Sequence, residues 1–169
     1  MSQTDRRRRR GRGQPGHGGA SNQRERSLDE LWPGYLKDGY FDGGGHPQSE
    51  YVAREKLVPL VQSMVRARTA LTPHQARRFF QHCRAIEARL RAKTSSWDAE
   101  ESKFRFLDAA AADAYGKDPG KIPRLFHDFI QRNVAQVRTE KDFLQGFLPH
   151  FEALIGFGSH FFQRERDRS

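Results

Sequence analysis

The sequence has few of the residues that most chemistry needs. Cys83 is the single cysteine in 169 residues, so neither a disulfide framework nor a cysteine-based zinc site can be built. No apolar run reaches the ~18 residues of a membrane-spanning helix, and the amino-terminal arginines lack the apolar stretch of a secretion signal. A cytoplasmic protein with no membrane partner is the expectation. The seven histidines form no H-E-x-x-H or E-x-x-H pair, the spacings that place two ligands on one helix face. His127 beside Asp128 and His150 near Glu152 come nearest, but those spacings point the two side chains apart. The same geometry separates His82 from Cys83, which lies on an apolar face and reads as a buried thiol.

Two further chemistries are missing. In "YLKDGYFDGGG", Tyr35 to Gly45, taking Asp38 as the first ligand of a calcium loop puts Tyr40 third and Ser49 twelfth, where carboxylates are required. The glycine cluster "GGGHPQS" lacks the Gly-Lys-Ser/Thr of a phosphate-binding loop. No catalytic residue, metal, cofactor or small-molecule substrate is therefore expected, and the chain reads as a non-enzyme.

Positive charge is what the sequence does have. Residues 1–27 carry eight arginines against Asp5 and Glu25, a net +6, which leaves +3 of the total +9 for the other 142 residues. Apart from Met1 and Pro15 this Arg/Gly stretch has no apolar side chain larger than that of Ala20, too little to offset the entropy of ordering it, so a disordered basic tail is expected. Such a tail suits loose, salt-sensitive contact with a polyanion. Residues 28–48 read as a Gly/aromatic loop packing on the domain, 49–163 as a helical bundle and 164–169 as a charged end.

Within the bundle the apolar residues return at helical intervals. Val52, Leu57, Leu60, Val61, Met64 and Val65 predict a helix over about Ser49 to Arg68, kinked by Pro59 or regular only from it. Thr72, Pro73 and Gln75 write a capping box with proline in the first turn. Ala76, Phe79, Phe80, Cys83, Ile86 and Leu90 then form one face, opposite His74, Arg77, Gln81, Arg84 and Arg91. A helix from Ser95/Ser96 to Gly116 carries the stripe Phe104, Leu107, Ala111, Ala114 and Tyr115. Another runs from about Pro123 to Val137. A last one opens at Thr139 and is bent at Pro149. No strand pattern competes, so the fold class is all-α, a bundle of about five helices.

Arg77, Arg84 and Arg91 recur every seven residues with Arg78 beside them, and Lys117, Lys121 and Arg124 cluster around "YGKDPGKIPR". A surface lined this way can track a nucleic-acid backbone. The alternative is a helix-turn-helix DNA-binding protein, with "TPHQARRFFQHCR" as recognition helix after the turn "RTAL" and His74, Gln75, Arg77 and Arg78 near its start.

Four stretches in order, "YLKDGYFDGGG", "LTPHQARRFF", "DAAAADAYGK" and "FLPHFEALIGF", resemble the small helical subunit of type III-A CRISPR effector (Csm) complexes, over about Tyr35 to Phe162. Phe157 stands where that family often has Tyr, and Gly156 and Gly158 are expected to loosen the last helix. The resemblance implies a non-catalytic subunit for antiviral defence. Several copies would stack into a filament, or pair as a dimer, beside the backbone subunits and along guide RNA and target RNA. RNA cleavage would belong to the backbone subunit, and DNA cleavage and cyclic oligoadenylate synthesis to the large subunit. Under it, Arg77, Arg78, Arg84, Arg91, Lys117, Lys121 and Arg124 would meet RNA phosphates. Tyr35, Tyr40 and Phe41 would anchor the loop on the bundle or on a neighbouring copy, holding Lys37 near RNA.

Overall fold

The computed structural model describes residues 25–166. The tail expected to be disordered falls outside the described residues except for 25–27, and of the charged end only the helical backbone of 164–166 falls within them. Six α-helices occur among the described residues and no strand. They are α1 (Leu28–Leu31), α2 (Arg54–Val65), α3 (Pro73–Arg91), α4 (Trp97–Gly116), α5 (Arg124–Gln136) and α6 (Leu148–Arg166). A 3₁₀ turn, Ser49–Val52, precedes α2, and a π-helical turn, Asp142–Phe147, leads into α6. Among the described residues the one pairing of strand type is an isolated bridge between Phe41 and Pro47.

Local side-chain caps set the starts of α1 and α3 and the entry to the π-helical turn. Thr72 Oγ1 accepts the Gln75 amide and the Gln75 side chain accepts the Thr72 amide, with Pro73 in the first turn of α3. Asp142 accepts from the amides of Arg138 and Thr139 while Thr139 Oγ1 accepts from Asp142, fixing the entry to the π-helical turn. The regular part of α2 begins at Arg54, before Pro59 rather than at it. Val52 belongs to the preceding 3₁₀ turn, which turns it outward to 45% exposure, away from the buried stripe expected of it. Tyr115 leaves its stripe too, at 42% exposure, and stacks instead on the His127 ring 5.0 Å away. Within the expected loop, Ser27 and Glu30 close a capping box that starts α1.

The core is aromatic. Phe104, Phe126, Phe129, Phe143, Phe147 and Phe151 are fully buried, each worth ~1.5–3 kcal/mol over exposure. They join α4, α5 and α6 through ring contacts such as Phe104 to Phe147 at 5.4 Å and Phe129 to Phe151 at 5.6 Å. Helix α6 packs against α2 and α3, and α4 against α5 and α3. The loosening expected from Gly156 and Gly158 does not occur, and α6 runs unbroken through both. Gly158 permits the close crossing with α2, where a Cβ would lie 2.8 Å from Val61 Cγ2. At Glu100 the carboxylate is buried rather than facing solvent in the first turn of its helix. Arg89 Nε and Nη2 donate to it at 2.9 and 2.7 Å, and Lys103 Nζ at 3.0 Å. The Arg89 contact above all holds its pKa down to about 2, and the pair ties α3 to α4.

Residues 32–51 are fastened to the bundle by a buried polar chain. His150 is fully buried on α6. Its Nδ1 donates to the Tyr51 carbonyl at 2.5 Å. That carbonyl can only accept, so Nδ1 carries the hydrogen and Nε2 accepts from the Tyr35 hydroxyl at 2.6 Å. Asn133 Nδ2 donates to the Tyr35 oxygen at 2.6 Å, and the Tyr40 hydroxyl donates to Asn133 Oδ1 at 2.7 Å. Every member has a partner with the polarity it needs, as a buried network requires. Tyr40 also lies flat against Gly146 in the π-helical turn, where a Cβ would approach its Cγ within 2.5 Å.

Two measurements follow from this attachment. Burial lowers the His150 pKa from 6.5 to about 4. Between those values the unfolded chain binds more protons than the folded one, so stability rises with pH there. Denaturation midpoints should fall as pH drops from about 6.5 to about 4, and less so in His150→Gln; a flat wild-type profile over that window would contradict a neutral buried imidazole. Gly146→Ala should cost about 1–3 kcal/mol in urea unfolding, the usual penalty of overpacking, and a neutral result would place the Tyr40 ring elsewhere.

Candidate nucleic-acid interface

Because the apolar residues of α3 recur at helical intervals, its arginines are forced to the other side. Ala76, Phe79, Cys83, Ile86 and Leu90 are buried, while Arg77, Arg78, Arg84 and Arg91 are exposed. Cys83 is no nucleophile in this setting, since burial pushes its thiol up to about 12.

The exposed cations differ in how much of their charge is already matched. Glu87, 7% exposed, sits between two of them. Its Oε2 meets Arg84 Nη1 at 2.6 Å and its Oε1 meets Arg91 Nε at 2.7 Å. Lys117 pairs with Asp113 at 2.8 Å and Arg124 with Asp128 at 3.6 Å. Arg77, Arg78 and Lys121 have no acidic partner among the described residues. The Lys117 and Arg124 pairs lie at the solvent surface and contribute little, so a phosphate can compete for those cations as well.

Arg78, Lys117 and Lys121 come together along one cleft of about 700 Å³ between the first half of α3 and the second half of α4. Two hydrogen bonds flank it. The Gln75 side chain donates to the Lys121 carbonyl, and His82 Nε2 donates to the Lys103 carbonyl at 2.8 Å. Arg77, Arg84 and Arg91 lie on the outer face of α3, and Arg124 opens α5. Lys37 is not part of this surface; it belongs to the segment fastened to α5 and α6 by Tyr35 and Tyr40.

The three aromatic residues assigned to subunit contact divide. Tyr35 and Tyr40 are 5% and 2% exposed, their rings and hydroxyls committed to this chain's own α5 and α6, which leaves no ring surface for a neighbouring copy. Phe41 is half-buried, with Lys141 Nζ 4.4 Å over its ring, and is the one of the three that retains an outward face. Phe106 was missed by periodicity because it stands one position off the Phe104, Leu107, Ala111 stripe. That offset is itself the signal, since the side chain is 66% exposed.

The helix-turn-helix alternative loses its geometry. Seven residues, 66–72, separate α2 from α3, and α2 packs chiefly on α6 rather than on α3. That motif needs a turn of about 3–4 residues and two helices packed on each other. Among the described residues no group of three or more His, Cys, Asp or Glu could hold a metal ion, and no helix is long and apolar enough to cross a membrane.

Residues 55–164, more than half of the chain, match the family model for Csm2 Type III-A. The chain belongs to the Csm2 Type III-A family. It is a small subunit of the type III-A CRISPR complex, and the other subunits of that complex are its partners. No curated protein and no solved structure matched it. The match to the Csm2 family begins in α2 and takes in three of the four resembling stretches. "YLKDGYFDGGG" lies ahead of it, although its tyrosines complete the core that the matched helices form.

Glu87→Gln removes the negative charge shared by Arg84 and Arg91. It should strengthen retention on heparin and steepen the salt dependence of that retention by up to about one unit of slope. Unchanged elution would mean that these two arginines do not face the polyanion.

Proposed function

We propose that this Csm2-family chain is a non-catalytic subunit that binds the backbone of guide and target RNA without reading sequence. Several copies stack within the type III-A interference complex of the cytoplasm, and the complex serves antiviral defence. The observation that carries the reading is the outward row of arginines on α3, in which Arg77 and Arg78 have no acidic partner among the described residues. A helix surface of this kind offers charge-assisted contacts to phosphates and no arrangement for base-edge recognition, which suits a complex in which base pairing supplies specificity. Arg84, Arg91, Lys117, Lys121 and Arg124 extend the same surface at the cost of loosening their own ion pairs where they have them. Catalysis falls to the backbone and large subunits in this reading.

The test is a double substitution, Arg77→Ala with Arg84→Ala, in the full chain. RNA affinity should fall for every sequence alike, and the salt slope should drop by about 1.4, two contacts at ~0.7 each for a single strand. A loss confined to particular sequences, or none at all, would refute backbone binding through α3. Copurification with tagged partner subunits, scored for accompanying guide RNA, checks the assembly half of the reading.

A further inference from the structure

The cleft between α3 and α4 has a composition that backbone binding alone does not require. Its floor is apolar and low, built from Leu107, Ile122, Phe79 and the small side chains of Ala110 and Ala114. Along one wall stands Phe106, two thirds exposed to water, while the fully buried phenylalanines sit in the core. At the rim are Arg78 and Lys121, without acidic partners among the described residues, and Lys117, which pairs at 2.8 Å with Asp113, a carboxylate that also lines the cleft. An apolar cleft with an unpartnered phenyl face, and with three cations against one carboxylate around it, matches a ligand that is aromatic in one part and anionic in another.

We infer that this cleft receives one unstacked nucleobase of a bound RNA strand, its ring against Phe106 and its flanking phosphates on Arg78, Lys117 and Lys121. The inference rests on the RNA-binding reading above and goes beyond it, since it assigns a base-holding site to a surface otherwise read as binding backbone only. The size is right, because ligand-sized pockets span roughly 300–1,000 Å³. An amphipathic helix from a protein partner fits less well. Such a helix is ~10 Å across, and its apolar face would leave the rim cations Arg78 and Lys121 without a counter-charge. Stacking on a phenyl ring selects no particular base, since each base has a π-face.

The test compares two short single strands of equal length and charge by fluorescence anisotropy with the full chain, one of mixed-sequence RNA and one abasic. The wild type should bind the base-bearing strand more tightly. Phe106→Ala should weaken that binding about ten-fold, the worth of one base–aromatic stack, and leave the abasic strand unaffected. Ala109→Leu, which fills the slot from an exposed position, should do the same, its abasic affinity reporting an intact fold. If Phe106→Ala binds both strands as the wild type does, the slot is refuted while RNA binding stands. If the wild type binds neither strand, the RNA-binding reading falls and this inference with it. If Phe106→Ala keeps both affinities but loses its partner subunits on copurification, the cleft docks protein and the nucleobase assignment is overturned.

Discussion

A neutral imidazole buried without a counter-charge must satisfy both of its nitrogens by hydrogen bonds, and His150 finds both partners outside its own helix. One is the Tyr51 carbonyl at the entry to α2, the other the Tyr35 hydroxyl in the preceding turn. This single requirement determines where the segment before α2 can lie. Once Tyr35 is placed, Asn133 on α5 is oriented by it, and Asn133 in turn receives Tyr40. The aromatic rings then follow the polar atoms. Trp32 stacks on Tyr51 at 5.4 Å and meets His150 edge-on at 5.9 Å. Elements far apart in sequence are thereby fixed against the same side of α6, and α6 can present its other contacts to α2 and α3.

What could be seen in the sequence is what depends on neighbours along the chain. The capping box at Thr72, the buried and exposed faces of α3 and the run of α5 are all local, and they form where the residues predict them. The Ser27, Glu30 box is equally local, yet α1 has too few apolar residues to show a period. Glu87 lies three and four residues from Arg84 and Arg91, so their shared ion pairs were available from helix spacing. His150 and Tyr35 are 115 residues apart, and nothing in the pattern says that they meet. The same holds for Arg89 with Glu100 across the α3 to α4 connection, and for Gly146, whose lack of a side chain makes sense only once Tyr40 lies against it.

On the candidate interface, position and availability separate. Periodicity places arginines on the correct face of α3, but only the side-chain partners distinguish charges left open, at Arg77 and Arg78, from those already engaged by Glu87. The surface is thus graded along the helix, more strongly cationic near its start than near its end. The cleft beside that start, with Phe106 on its wall, adds apolar character where the uncompensated charge is greatest.

The point at which the arginine-rich segment joins the body is also fixed. Asp29 accepts two bonds from the Arg132 guanidinium, and the Glu25 side chain accepts the Arg68 amide at 3.1 Å. Arg68 stands four residues before Thr72, so the described chain starts at a point connected to the entry of α3. On the RNA-binding reading, the most basic stretch of the sequence is covalently continuous with that entry, and a strand held at α3 would meet it as a second, linked valency.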